Sequence, residues 1–509
     1  MKLRENYEFT GKQTALIGVL LVSILAAVLW RIRSLDGIYI IGDEFGYWAD
    51  AAFFAGKNWS EVGSMNPYYS FGYSLILAPL FLLGKPALMY KAAVLLNGVF
   101  LCGSFLLTIF CGKKLFRDLN RWNLILFSWC VNVFSSMILY AQTTLAENLI
   151  VFVFLLGTAL YFHFLEKPGY LRACLTGLAF GYLYSIHMRT LTVLVALAFC
   201  LILVFRQKKA SWRYILTLVL TIAVCVFAAN QIKEILVENV YLSNASVSTN
   251  DYSGQVQKLS SLMSIDGVLA LFFSFLGKVW YVGCSTFFLA WWGIVFLIHQ
   301  VYNRMRKKEM GEDEHRILFL LLAFLGALAI NCIYMSYFGR VDTLIYGRYS
   351  EYVYILILFV GLYAMMQSRH RGKLCALFSV AAILLTFCVR GILDWAETTT
   401  FIYSNNVVGI SKLAEYFGLQ VGNRYFELSV CVGTILAALV LTLVFEISEK
   451  KKWRAAAGII ALFLGACWIY LGDSWADRQV YGFQSRHAHE NMVSLMNEIS
   501  PDSEVYYIV

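Results

Sequence analysis

The sequence predicts an all-α polytopic membrane protein, and three observations carry that prediction. The 509-residue chain is 60% hydrophobic and only 14% charged, where soluble domains run about 45–50% and about 25%. Apolar stretches long enough to cross a ~30 Å hydrocarbon core recur along the whole length. The basic residues, finally, cluster in the short polar connections that a single membrane orientation would place on one side.

Thirteen spans are predicted, at 13–30, 87–111, 122–139, 148–165, 172–187, 190–205, 214–230, 279–300, 317–337, 351–367, 374–390, 428–447 and 455–471. The first lacks an A-x-A-type cleavage site and is followed by Arg31 and Arg33. It therefore reads as a retained span and not a signal peptide, with the mature chain expected to start at or near Met1. With the N-terminus in the cytoplasm, segments 1–12, 112–121, 166–172, 206–213, 303–316, 368–373 and 448–454 face inward, and they hold 25 of the 41 Lys and Arg residues. The clusters RQKK at 206–209, RMRKK at 304–308 and KKKWR at 450–454 all fall on that side. This is the positive-inside pattern, so the expected location is the cytoplasmic membrane, with the C-terminus extracytoplasmic.

Other classes are excluded. Aromatics at 16% and 36 Gly against 5 Pro fit neither a disordered nor a collagen-like chain. The net charge of +9 follows the topology and not a nucleic-acid surface. All 12 Cys lie within or at the edge of apolar segments, with no CxxC or Cys/His metal spacing, and read as small hydrophobes. No GxxxxGK[ST] occurs, so a cytoplasmic nucleotide does not drive this protein.

The outer face receives four sizeable pieces, 31–86, 231–278, 391–427 and 472–509, whereas no inner loop exceeds about fifteen residues. Chemistry is therefore expected outside. The domain reading is one transmembrane catalytic module over 1–471 and a short extracytoplasmic tail over 472–509, with an amphipathic helix at 488–499 and one strand in SPDSEVYYIV. Such a tail is too small for its own core. In the first outer loop Asp43, Tyr47, Asp50 and Phe54 recur at helical spacing, predicting a helix lying on the membrane surface. Segment 70–84 is apolar but short, predicting a juxtamembrane or re-entrant piece, and 264–278 predicts a second interfacial helix leading into the span at 279.

The candidate chemistry sits at outer mouths. Gly42-Asp43-Glu44 follows the first span, with Tyr47, Ala51, Gly56, Asn66-Pro67 and Tyr73 behind it. An acidic opening, an aromatic surface helix and a short apolar segment like Tyr73–Gly84 resemble the GT-C superfamily of polyprenyl-phosphate-dependent glycosyltransferases. That superfamily includes the protein O-mannosyltransferases and lipid A aminoarabinose transferases, and the resemblance covers the layout of nearly the whole chain. It implies a GT-C fold of about thirteen helices and makes Asp43 the general base or acceptor-orienting group. Chemistry supports that role independently, because a free alcohol is a poor nucleophile and needs a carboxylate within hydrogen-bond reach. Glu44, about 100° further round a helix, is the weaker candidate. The competing reading of Asp43 is a helix cap.

Glu147, in AQTTLAEN, matches an acid common at this place in the superfamily. It would line the acceptor side or, as in metal-dependent members, ligate a divalent cation beside Asp43; the plainer reading is a carboxylate at a helix N-terminus. GLAFGYLYSIHMRTL places His187 and Arg189 at an outer turn, where a charge usually has a partner or a function. The run Gly339-Arg340-Val341-Asp342 followed by Tyr346-Gly347-Arg348-Tyr349-Ser350-Glu351 resembles the family's Arg-Tyr element. Arg348, with Tyr346 and Tyr349, would then hold the donor phosphate through its planar fork; the alternatives are ion pairs Arg348–Glu351 or Arg340–Asp342. Lys278, in LGKVWY, extends that set.

The resulting expectation is an inverting transferase moving a sugar from a polyprenyl-phosphate donor to an envelope polysaccharide, lipid or protein. Its partners are membrane lipids and no nucleic acid. No cofactor is specified. A lipid-linked saccharide flippase or transporter and a polyprenyl-diphosphate-dependent polymerase or ligase are the alternatives; charges at outer mouths and not in broken mid-membrane helices disfavour the transporter.

Overall fold

The computed structural model describes residues 9–35, 42–244, 259–260, 262–307, 311–336, 341–395, 426–450 and 456–481. The tail elements expected beyond 481 and most of the outer piece 391–427 lie outside them.

Every predicted span coincides with helix: α1 (Gly11–Leu29), then α2 (Gly42–Phe54) in the first loop, α3 (Pro86–Leu115), α4 (Arg121–Asn132) with α5 (Ser135–Ala141), α6 (Glu147–Glu166), α7 (Tyr170–Ile186), α8 (Leu191–Arg206), α9 (Trp212–Asn239), α10 (Ile265–Ser285), α11 (Leu289–Lys307), α12 (Glu312–Tyr334), α13 (Tyr354–Gln367), α14 (Arg371–Trp395), α15 (Phe426–Lys450) and α16 (Ala456–Ala476). Ten helices among the described residues are long and apolar enough to cross a membrane, eleven with the bent pair α4–α5. The fold is an all-helical, multi-pass membrane architecture.

Local sequence sets the helix ends. Thr10 and Gln13 form a reciprocal capping box at the start of α1, satisfying amides that have no partner inside the helix. Gly84 turns at φ 69°, and Pro86 opens α3 where its missing N–H costs nothing. The α4–α5 pair bends by 59° because Phe134 is extended (φ −51°, ψ 139°). Asn132 there turns its amide back onto the Ser128 carbonyl at 2.8 Å and onto Thr108 at 2.9 Å.

Two predicted elements differ. The span expected at 279–300 is broken: the interfacial helix and the start of the span are one helix, α10, and α11 follows after Phe287 and Phe288 at positive φ (50° and 66°). Aromatic packing holds these strained residues, Phe287 stacking on Trp468 and Phe288 on Trp291. Helix α2, expected on the surface, is instead wedged inside the protein, with Glu44, Tyr47, Trp48, Ala49, Asp50, Ala51 and Ala52 all buried. The reason is that 72–83, a short helix and a 3-10 turn, packs on one side of it, while Thr144 and Tyr90 bind its Glu44 from the other.

Helices α6 and α13 form the centre and are buried along most of their length, whereas α9 is largely exposed at the periphery. At the end of α6 that carries Glu166, the fully buried Arg316 ties α3, α6 and α12 together through Glu166 at 2.7 Å and the Lys114 carbonyl at 3.1 Å. The opposite end of the same helices carries the candidate site.

Candidate active site

Four charged residues from four distant stretches meet at that end. Asp43 lies in the first turn of α2, Glu147 begins α6, Arg189 lies in the turn between α7 and α8, and Arg348 precedes α13. Arg348 stands between the two carboxylates: its Nη1 donates to Asp43 Oδ2 at 2.7 Å and its Nε to Glu147 Oε1 at 2.6 Å. Arg189 Nη2 donates to the same Glu147 oxygen at 3.2 Å. Glu147, Arg189 and Arg348 are all but closed to solvent, while the Asp43 side chain is 27% exposed. The cluster is thus neutral, two acids against two guanidinium groups, with Asp43 as its accessible edge.

The electrostatics follow from this geometry. Burial alone would lower the Arg348 pKa; Glu147 and Asp43 more than reverse this and hold the guanidinium charged. Burial and the nearby Arg189 and Arg348 push His187 well below the usual imidazole range, so it is neutral at pH 7. His187 lines the site in that form, edge-on to Tyr349 at 5.6 Å between ring centroids and accepting the Arg189 backbone N–H at 3.3 Å. Tyr349 lies under Arg189 at 4.9 Å, a cation–π contact, and Tyr346 packs against Tyr349. The Nε and Nη1 of Arg189 are buried without an acceptor among the described residues; such donors are costly unless something anionic uses them.

Glu44 is built differently. Its Oε1 accepts the Thr144 N–H at 2.6 Å, the Thr144 hydroxyl at 2.8 Å and the Tyr90 hydroxyl at 3.0 Å. Burial outweighs these three donors and raises its pKa to about 7. Glu44 ties α2 to the segment 141–147 and faces away from Asp43. A carboxyl whose pKa is raised on folding contributes stability that is full below its unfolded value and fades as pH rises through the folded one. Wild type is therefore expected to lose roughly 3 kcal/mol relative to Glu44→Gln between about pH 4.5 and 7, read from unfolding of the two proteins across that range.

The remaining predicted residues are placed as follows. Arg348 does not pair with Glu351; that acid accepts hydrogen bonds from Ser136 at 2.8 Å, Tyr140 at 2.9 Å and Tyr281, bracing the turn that presents Arg348. Lys278 is not brought into the cluster: its Nζ bonds Ser274 and the carbonyls of Met335 and Thr343 at 2.6–2.8 Å. The side chains of Arg340 and Asp342 lie outside the described residues. One contact of the cluster comes from a residue outside the predicted site set. Tyr69 donates its hydroxyl to Asp43 Oδ1 at 3.1 Å; burial and Asp43 raise its pKa, so it stays a donor. Its ring fits only because position 46 is Gly, where a Cβ would stand 2.0 Å from Tyr69 Cδ2. Gly347 plays the same part for Tyr281, also at 2.0 Å.

Among the described residues no group of three His, Cys, Asp or Glu side chains could hold a metal ion. At Asp43 and Glu147 the arrangement does not fit a resident divalent cation, because a guanidinium already bridges the two carboxylates.

No family model matches the chain, and no curated protein matches it in sequence. Among solved structures it is similar to the crystal structures of ArnT from Cupriavidus metallidurans, one bound to undecaprenyl phosphate and one in the apo state. Each is 12% identical with a TM-score of 0.49, covering 97% of this chain and 82% of that one. It is also similar to the single-particle cryo-EM structure of the arabinosyltransferase EmbB from Mycobacterium smegmatis, at 12% identity and a TM-score of 0.45, covering 94% of this chain and 42% of that one.

Proposed function

We propose that this protein is an inverting glycosyltransferase that moves a sugar from a polyprenyl-phosphate donor to a hydroxyl of a cell-envelope acceptor, at the outer face of the cytoplasmic membrane. The observation that supports it most is the pairing of one accessible carboxylate, Asp43, with a buried guanidinium cluster at one end of a multi-pass bundle. The layout and the acidic and Arg-Tyr segments that resemble GT-C enzymes point the same way, and the basic clusters supply the orientation.

In this reading Asp43 takes the proton of the acceptor hydroxyl as its oxygen bonds to the sugar C1. The C1–O bond to phosphate breaks, and the lipid phosphate leaves with the electron pair. Arg348, together with the unused donors of Arg189, stabilises the charge that builds on that phosphate. Glu147 is a positioning residue that holds both arginines. In this reading it does not line the acceptor side.

The test is mass spectrometry of membrane polyprenyl-phosphate sugars in a deletion strain complemented with wild type or Asp43→Asn at matched membrane levels. One lipid-linked sugar is expected to accumulate in the deletion and with the Asn variant, and not with wild type. A normal pool restored by Asp43→Asn overturns the assignment of the base and, with it, this reading of the site.

A further inference from the structure

We infer that the Asp43–Arg348 ion pair is a latch that withholds the base until a lipid-borne phosphate takes the guanidinium away. The inference rests on the proposed function and adds to it an order of binding, donor before acceptor.

The argument starts from charge. Within the site Asp43 and Glu147 balance Arg189 and Arg348, so the cluster offers an incoming phosphate no surplus positive charge. Of the contacts that hold Arg348, the one to Glu147 is sealed from solvent, and the one to Asp43 is at the accessible edge. Losing the buried contact would strand an acid in the interior, which is the more costly event. Losing the outer one frees Nη1 for a phosphate oxygen and releases Asp43 at the accessible edge of the cluster, where a second donor already holds it. That donor is Tyr69, which holds Oδ1 while Arg348 holds Oδ2. Released from Arg348, the carboxylate stays oriented by Tyr69 and has one oxygen free to accept a proton. While the pair is closed, that oxygen is occupied by Arg348 Nη1 and is not open to an acceptor hydroxyl. The latch also resets itself, because departure of the lipid phosphate returns Arg348 to Asp43. Ordering the substrates in this way keeps an activated base from meeting an acceptor, or water, before a donor is in place.

Thermodynamic linkage gives the test. If binding lipid phosphate must open the pair, a variant that cannot form it binds that lipid more tightly even as it loses turnover. The probe is undecaprenyl phosphate bound to full-length protein in lipid nanodiscs, with undecaprenol as the phosphate-free control. Asp43→Asn is expected to bind undecaprenyl phosphate about tenfold more tightly than wild type. Tyr69→Phe changes no charge but removes the partner that receives the released carboxylate, so it is expected to bind about threefold more weakly. The two variants separate the latch from a general field effect, which would tighten Asp43→Asn and leave Tyr69→Phe at the wild-type value. Equal or weaker binding by Asp43→Asn, or unchanged binding by Tyr69→Phe, overturns the latch. Wild type that binds undecaprenyl phosphate no better than undecaprenol overturns instead the donor reading on which the latch rests.

Discussion

Glu147→Leu is expected to destabilise the protein by about 3–5 kcal/mol, the cost of breaking a buried ion pair from one side. The side chain is 3% exposed; it pairs with Arg189, itself 2% exposed, and is one of two carboxylates paired with Arg348. Removing it leaves Arg189, two of whose nitrogens already lack an acceptor among the described residues, with only the faces of Tyr349 and Tyr352. Glu147→Gln, which keeps one acceptor oxygen, is expected to fall between Leu and wild type. The measurement is the loss of the folded-protein peak on heating in detergent, compared at equal times. A double-mutant cycle with Arg189→Leu sharpens it: the double variant is expected to recover part of the loss, because an apolar pair costs less than a stranded charge. Strict additivity of the two single effects would show that Glu147 and Arg189 do not act as a pair.

The helices were legible because each span is an apolar run bounded by charges, a signal that needs no tertiary information. The break at Phe287–Phe288 was not, because the local run TFFLAWW at 286–292 continues the apolar stretch with no Gly or Pro at the break itself. The positive φ values are imposed by stacking partners as distant as Trp468. Helix α2 was legible as a helix from its spacing. Its burial was not, since the partners that cover it, Tyr90 and Thr144 among them, lie in other elements. In the site, Asp43, Glu147, Arg189 and Arg348 each stood out as a charge at the end of an apolar run, and the structure brings these four together. Their partners did not show: Arg348 had a nearer candidate in Glu351, three residues away, and the fold gives that acid to Ser136, Tyr140 and Tyr281 instead. Lys278 looked similar to the arginines in sequence but finds backbone carbonyls at the ends of neighbouring elements. Charge at a helix mouth thus marks a residue with a job, and only the packing says which one.

Arg348→Ala is expected to reverse the balance seen at Glu147, with a small effect on folding and a large one on transfer. After its removal Glu147 still has Arg189 at 3.2 Å, and Asp43, 27% exposed, can be solvated and keeps Tyr69. No charge is left buried alone, so the stability loss should stay well under that of Glu147→Leu. For the proposed reaction, however, the departing phosphate loses the guanidinium that neutralises its charge, a loss of about 10²–10³ in rate for one preorganised donor. Arg348→Lys supplies the discriminating comparison. Lysine restores the charge as a point on a flexible stem and cannot hold Asp43 and Glu147 at once through a planar fork. If Arg348 only balances charge, lysine should return most of the activity. If it must bridge two carboxylates and then present the same fork to phosphate, lysine should recover little of the rate while restoring the stability. The measurement is transfer from lipid-linked donor by each purified variant at matched folded fraction. Full activity in Arg348→Ala would remove this residue from the reaction and leave it as a structural counter-ion to Asp43 and Glu147.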